Sequence, residues 1–178
     1  MATEWHGLNQ EALSLYRQGQ YGNAVTAAEK ALQVAQQTMG PDHPNVAMSL
    51  NNLAAFYYAQ GKYLEAEPLH RRSLEIYKKA YGQDHPSVAT SLNNLAALYY
   101  TLGKYAEAEP LHKRSLEIYE KAYGPNHPHV AVSLNNLAGV YRKMSREKEA
   151  QSLEQRAAQI SAARRQQSIE YTYIASRV

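Results

Sequence analysis

Seven histidines invite a search for metal or acid–base chemistry, and their spacing decides against it. His43, His85 and His127 stand 42 residues apart, by 85 − 43 and 127 − 85, each followed by proline. If each lies in the same turn of successive structural layers, they are roughly 10 Å apart, whereas zinc–nitrogen bonds need about 2 Å. One ion cannot bridge them, and shaping a His-Pro turn is the expected role. His127 and His129 are close in sequence, but two imidazoles without a third ligand make a weak site. His70 and His112 repeat on a second element and are expected at a surface or seam.

The carboxylates read the same way. Glu65, Glu67, Glu107 and Glu109 fall near a helix start, where they complement the helix dipole. Glu67 with Arg71, and Glu109 with Lys113, are i,i+4 pairs expected on an exposed face. No phosphate loop, nucleophile elbow or zinc-protease motif is present. No enzymatic activity, cofactor or metal is expected.

The elements behind these positions form a repeat. HPNVAMSLNNLAAFYYAQGKYLEAEPLHRRSLEIYKKAYGQD, residues 43–84, matches residues 85–126 at about three quarters of its positions. A third copy starts at His127 and degrades after Tyr141. A degenerate first copy places Gly19 and Tyr21 42 residues before Gly61 and Tyr63. Each unit reads as two helices. The first runs roughly from Ser87 or Val88 to Leu102 and is closed by Gly103. The second runs from about Tyr105 to Tyr123 and is closed by Gly124, with a slight bend expected at Pro110. At 100° per residue, Leu92, Leu95, Ala96 and Tyr99 share a packing face, with Leu95 fully buried, and Asn93, Ala97 and Tyr100 share an adjacent one. A unit this short must stack on its neighbours. The expected domain spans 1–166, in units of about 3–39, 43–82, 85–124 and 127–165, followed by a tail at 167–178.

Composition agrees. The 178 residues are 44% hydrophobic, mostly Ala, Leu and Tyr, with no cysteine. That excludes disulfides and thiolate metal sites and is compatible with a reducing compartment. Met1–Gln10 has neither a basic nor an apolar stretch, so a cytoplasmic location is expected. Pro86–Gly103 is uncharged, but Ser91, Asn93 and Asn94 argue against a membrane span. The net charge of +3 comes from Lys and Arg interleaved with Glu, so neither nucleic acid nor membrane is an expected partner.

Ala96, Gly103-Lys104-Tyr105 and Ala108, with their copies Ala54, Gly61-Lys62-Tyr63 and Ala66, resemble the tetratricopeptide repeat. The longer period, with H-P-x-V-A, L-N-N-L-A, G-K-Y-x-E-A-E-P-L and a trailing Y-G, is similar to the repeats of kinesin light chain and related bacterial proteins. The resemblance is strong over Met39–Tyr141, weaker over 3–38 and absent after about Ile160. Nothing here matches the coiled coil of kinesin light chain. The resemblance implies an all-α, right-handed solenoid of helix-turn-helix units and a protein- or peptide-binding groove lined by the first helix of each unit. By motif, the groove positions are Asn9, Leu13 and Tyr16; Met48, Asn51, Ala55 and Tyr58; Thr90, Asn93, Ala97 and Tyr100; and Val132, Asn135, Gly139 and Arg142.

Asparagine is a poor helix-interior residue, so three Asn pairs at equivalent positions need a reason. Asn51, Asn93 and Asn135 are expected to meet the backbone of an extended segment, an amide offering both donors and an acceptor. Asn52, Asn94 and Asn136 are expected nearer the seam, and either set could instead tie units together. Tyr58 and Tyr100 could wall a ligand, whereas Tyr57, Tyr63, Tyr99 and Tyr105 suit packing. Four layers give about 30 Å of groove, enough for about 6–9 extended residues. Arg17, Arg142 and Lys143 near its ends favour an acidic residue or a free carboxylate. The alternatives are a sensor portion of a larger protein or a self-assembling scaffold. Against stacking, Leu153, Ala157 and Ile160 form one stripe of the last helix, and Glu149, Glu154, Arg156 and Gln159 form a polar cap. The tail SIEYTYIASRV matches no unit and fits a strand-like or a helical period. It is expected to pack on its own last units or enter a neighbouring molecule's groove, giving a homo-oligomer; the alternative is a simple extension of the last helix.

Overall fold

Proline and glycine punctuate the chain into eight helices, seen in a computed structural model that describes the backbone of residues 2–175 and the side chains of 3–166. In order they are α1 (Ala2–Arg17), α2 (Tyr21–Met39), α3 (Pro44–Ala59), α4 (Tyr63–Tyr81), α5 (Pro86–Thr101), α6 (Tyr105–Tyr123), α7 (Pro128–Lys143) and α8 (Glu147–Ala175). No strand occurs among the described residues.

The His-Pro turns start α3, α5 and α7. Proline takes the first helical position, where a missing N–H leaves nothing unpaired. The preceding histidine is the N-cap. Nδ1 of His43, His85 and His127 accepts from the backbone N–H of Asn45, Ser87 and His129 at 3.1, 3.1 and 3.2 Å. Glycine ends α2, α4 and α6: Gly40, Gly82 and Gly124 adopt φ of 91°, 84° and 87°, a region closed to most side chains. The equivalent position after Arg165 is Gln166, and α8 runs on to Ala175. The expected end of the last unit is therefore not a helix end. The side chains of 167–178, on which the expected docking of the tail rests, lie outside the described residues.

Within each unit the two helices pack antiparallel, and α2 on α3, α4 on α5 and α6 on α7 join the units into a solenoid. The expected packing face holds. Leu92, Leu95, Ala96 and Tyr99 are all buried, Leu95 at 3% exposure. Small residues set the close approach. Ser73 and Ser115 on the second helices donate to the carbonyls of Ala47 and Ala89 on the first, both at 2.8 Å.

Polar ties cross the seams. Tyr57 donates to Glu29, and Tyr99 to Glu67, each at 2.9 Å. The Glu67–Arg71 and Glu109–Lys113 pairs form at 3.0 and 2.6 Å. They are not simple surface pairs, because Glu67 also holds Tyr99 and Glu109 also holds Arg146 of the next unit at 2.9 Å.

Candidate functional site

Three consecutive first helices contribute to one recess of about 350 Å³, lined by Tyr58 of α3, Ala97, Tyr100 and Thr101 of α5, Asn135, Asn136 and Gly139 of α7, and His112 of α6 beneath. Five expected groove positions, Tyr58, Ala97, Tyr100, Asn135 and Gly139, are thus brought together. The helical period explains this: the 97, 100, 101 face turns away from the buried 92, 95, 96, 99 face. Thr101, Asn136 and His112 were not expected there.

The walls are braced. The Tyr58 hydroxyl shares a 2.6 Å hydrogen bond with Thr101 Oγ1. The Tyr58 and Tyr100 rings lie 5.3 and 5.4 Å from Tyr63 and Tyr105. Ala55, Met48 and Thr90 are exposed on the same helices, while Leu13 and Tyr16 are partly buried, packed beside Ala12 and Phe56. Tyr16 stacks on Phe56 at 4.9 Å.

The asparagines divide, which corrects the expected ladder. Asn51 is spent inside the protein: its oxygen meets His70 Nδ1 at 2.9 Å and its amide donates to Ser91 Oγ at 2.9 Å. Asn9 is buried at 4% exposure and accepts from Asn52 at 2.8 Å. Asn52 thus lies at the seam with the first unit, where it ties to the buried Asn9. Asn93 commits its oxygen to His112 Nδ1 at 2.6 Å. Asn135 alone of the first set is exposed. His70 and His112, expected at a surface or seam, are 3% and 2% exposed, and burial pushes both imidazoles down to about 4. Their 42-residue spacing, matching that of Asn51 and Asn93, was the signal for a pair inside each of the two middle units.

Arg142 is also spent. It replaces the tyrosine of the earlier units and pairs with Glu154 at 2.7 Å and Glu147 at 3.5 Å. The polar cap is incomplete too. Val132, 53% exposed, and Asn135 line a second recess of about 520 Å³ with Pro128, Ala131 and Ile160. It opens where Ser161 stands in place of the buried Tyr77 and Tyr119 of earlier units.

Among the described residues no group of three or more His, Asp or Glu could hold a metal, and no helix is long and apolar enough to cross a membrane.

Known proteins share this architecture. The tetratricopeptide repeat model matches residues 6–55, 46–121 and 94–163. No curated protein matches the chain. Among solved structures, BtubC (BKLC) from P. vanneervenii is 28% identical with a TM-score of 0.82, over 89% of this chain and 63% of that one. A kinesin light chain-type protein of Podosopora anserina with nearly identical TPR-like repeats is 22% identical with a TM-score of 0.58, over 89% and 95%. The apo form of RapI is 20% identical with a TM-score of 0.78, over 90% and 43%. The chain thus spans less than two thirds of BtubC and of RapI. Arrays of this kind are typically non-catalytic and act in protein interaction. The chain belongs to the tetratricopeptide repeat family, and its 42-residue units are similar to those of kinesin light chain-like members.

Proposed function

We propose that the chain binds an extended segment of a protein partner along the first-helix face of its second to fourth units. The observation that carries this reading is the convergence of α3, α5 and α7 on one recess, with polar and aromatic groups arranged around an open centre. Such convergence of a few polar groups on an apolar concavity is the usual form of a ligand site. Asn135 and Asn136 supply amides suited to a peptide backbone. An acidic preference, with Arg142 in its ion pairs, rests on the exposed Lys143 of the fourth unit.

Peptides selected from a random display library on the intact chain test the reading. Tyr100→Ala and Asn135→Ala should each weaken the selected peptides by about tenfold, the loss of one good contact. Leu64→Ala, at an 81% exposed position on α4, should leave them unchanged. Peptides indifferent to both groove substitutions would move the binding surface elsewhere.

A second reading, self-association, draws on the recess beside Val132. It expects a sedimentation coefficient that rises with protein concentration and falls back on Val132→Glu. A constant monomer value removes it.

A further inference from the structure

We propose that the two ends of the array bind each other, α1 of a second copy docking on the open face of α7 and α8, so that molecules join end to end. This rests on the self-association reading and names the occupant of its recess.

The interior seams are the template, because α3, α5 and α7 each pack on the second helix of the unit before. Positions 4, 46, 88 and 130 are equivalent and hold Glu, Val, Val and Val. Positions 11, 53, 95 and 137 hold Glu, Leu, Leu and Leu. The valines and leucines are all buried in seams, whereas Glu4 and Glu11 are exposed. At the other end the receiving side changes. Positions 77, 119 and 161 hold Tyr, Tyr and Ser, positions 80, 122 and 164 hold Ala, Ala and Arg, and positions 81, 123 and 165 hold Tyr, Tyr and Arg. The recess of about 520 Å³ is accordingly lined by Val132, Ile160 and Ser161 together with Arg164 and Arg165.

The signs of these charges complement each other. Capping an array for solubility asks only for a polar outer face. Here one end carries carboxylates and the other guanidinium groups, all exposed. Arg165 donates only to the Ser161 carbonyl of its own helix among the described residues. Lys30 lines the shallow recess beside Glu11 and offsets part of the charge there.

The register agrees with the charges. Between the third and fourth units, Tyr119 and Tyr123 stack on His129 and His127 at 5.0 and 4.5 Å. One unit on, Ser161 and Arg165 stand in place of those tyrosines. His129 precedes Val130, the position that Glu4 holds in the first unit. Docking α1 as α7 docks therefore brings Glu4 of the second copy to Ser161, Arg164 and Arg165, a charge-assisted contact. Leu116 packs into the cluster that holds Leu137. One unit on, these become Ala158 and the second copy's Glu11, which gains room beside the exposed Gln155. Each face fits the other and not itself, so the contact is heterologous and association is open-ended.

Sedimentation velocity on the intact chain, up to about 1 mM protein, tests the proposal in the range where weak contacts populate. In about 10 mM salt the sedimentation coefficient should climb with concentration past the dimer. In about 1 M salt it should fall back, as the Debye length shrinks from about 30 Å to about 3 Å. Glu4→Arg alone, and Arg164→Glu with Arg165→Glu, should each weaken association by at least about tenfold. A chain carrying all three changes should associate again. A constant monomer value in low salt would overturn this contact and the self-association reading together, and leave the groove standing. Association that falls with Val132→Glu but is unmoved by Glu4→Arg, or that stops at a dimer, would overturn the end-to-end contact alone. Insensitivity to salt, or no recovery with all three changes, would overturn the charge pairing that defines it.

Discussion

His70 and His112 are buried under the first-helix face, each giving Nδ1 to an asparagine, and this couples the array to pH. Burial lowers both from 6.5 to about 4, so the unfolded chain binds protons that the folded one refuses. Their contribution is fully present above pH 6.5 and is lost as pH falls toward 4. At pH 5 linkage gives about 2 kcal/mol lost for each. The urea midpoint should drop clearly between pH 7 and pH 5, and the variant carrying His70→Gln and His112→Gln should show a much flatter profile. An unchanged midpoint in the parent would show that the imidazoles are solvated. The asparagines follow from the same geometry. Asn51→Ala strands His70 Nδ1 in the interior, leaves Ser91 with only its long contact to Ser73, and should cost about 1–3 kcal/mol. Asn135→Ala, on an exposed side chain, should stay within about 0.5 kcal/mol. Equal losses in chemical denaturation would contradict the division of the ladder. The sequence made these pairs visible as residues at a common spacing. It could not show that Asn51 faces inward, because the nineteen residues from Asn51 to His70 cross a turn whose geometry sets which face meets which.

Helix bounds were far more legible, because their signals are local. His-Pro and glycine mark the ends through backbone conformation alone, and α6 begins and ends where its spacing predicted. The first helices start a residue or two earlier than expected, since proline itself occupies the first turn. The departures appear where the punctuation is missing. Gln166 replaces the terminating glycine, and α8 continues. Ser145 replaces the glycine of the turn between the paired helices, where Gly19, Gly61 and Gly103 all adopt φ of 74°. Ser145 is held at φ 59°, the one described non-glycine with positive φ. The turn is kept because Arg146 N–H still donates to the Tyr141 carbonyl at 2.8 Å, as Lys104 does to Tyr99, closing the helix end. Left-handed backbone costs a serine about 1–2 kcal/mol. Ser145→Gly should therefore raise stability by about 1 kcal/mol, less the added freedom of the unfolded chain. A lower thermal midpoint would show that the serine side chain contributes more than the strain removes.

The whole molecule is a line of four units in which each touches only its neighbours, so stability is local and depends on what each seam buries. The middle units are covered on both sides. Their cores hold Leu92, Leu95, Leu98, Ile118 and Tyr119, and the second helix of the second unit adds Leu74, Ile76 and Tyr77. The first unit differs in substance: the buried residues of α2 are Ala24, Ala27, Ala28, Ala31 and Ala35. Its α1 carries Glu4, Glu11 and Ser14 where α3 has Val46, Leu53 and Phe56. Alanine burial removes much less apolar area from water than leucine or tyrosine burial, at roughly 25 cal/mol per Å². The first unit also has a seam on one side only. Its polar ties to the second are Trp5 donating to Ser49 at 2.8 Å, Asn52 to Asn9, Tyr57 to Glu29, and the amide–sulfur bonds of Asn9 to Met48 and Asn45 to Met39. Opening α1 and α2 should therefore require less free energy than opening α5 and α6, as terminal segments of low packing generally do. Native-state hydrogen exchange measures this amide by amide. Protection in the interior turns of α1 and α2 should be lower than in α5 and α6 by at least about tenfold, which is roughly 1.4 kcal/mol of opening free energy. Trp5→Phe, which removes the indole N–H from Ser49, should widen the gap by lowering protection in the first unit alone. Uniform protection across all four units would mean that the array unfolds as one cooperative block, and that the alanine-rich seam holds the first unit as firmly as leucine and tyrosine hold the middle ones.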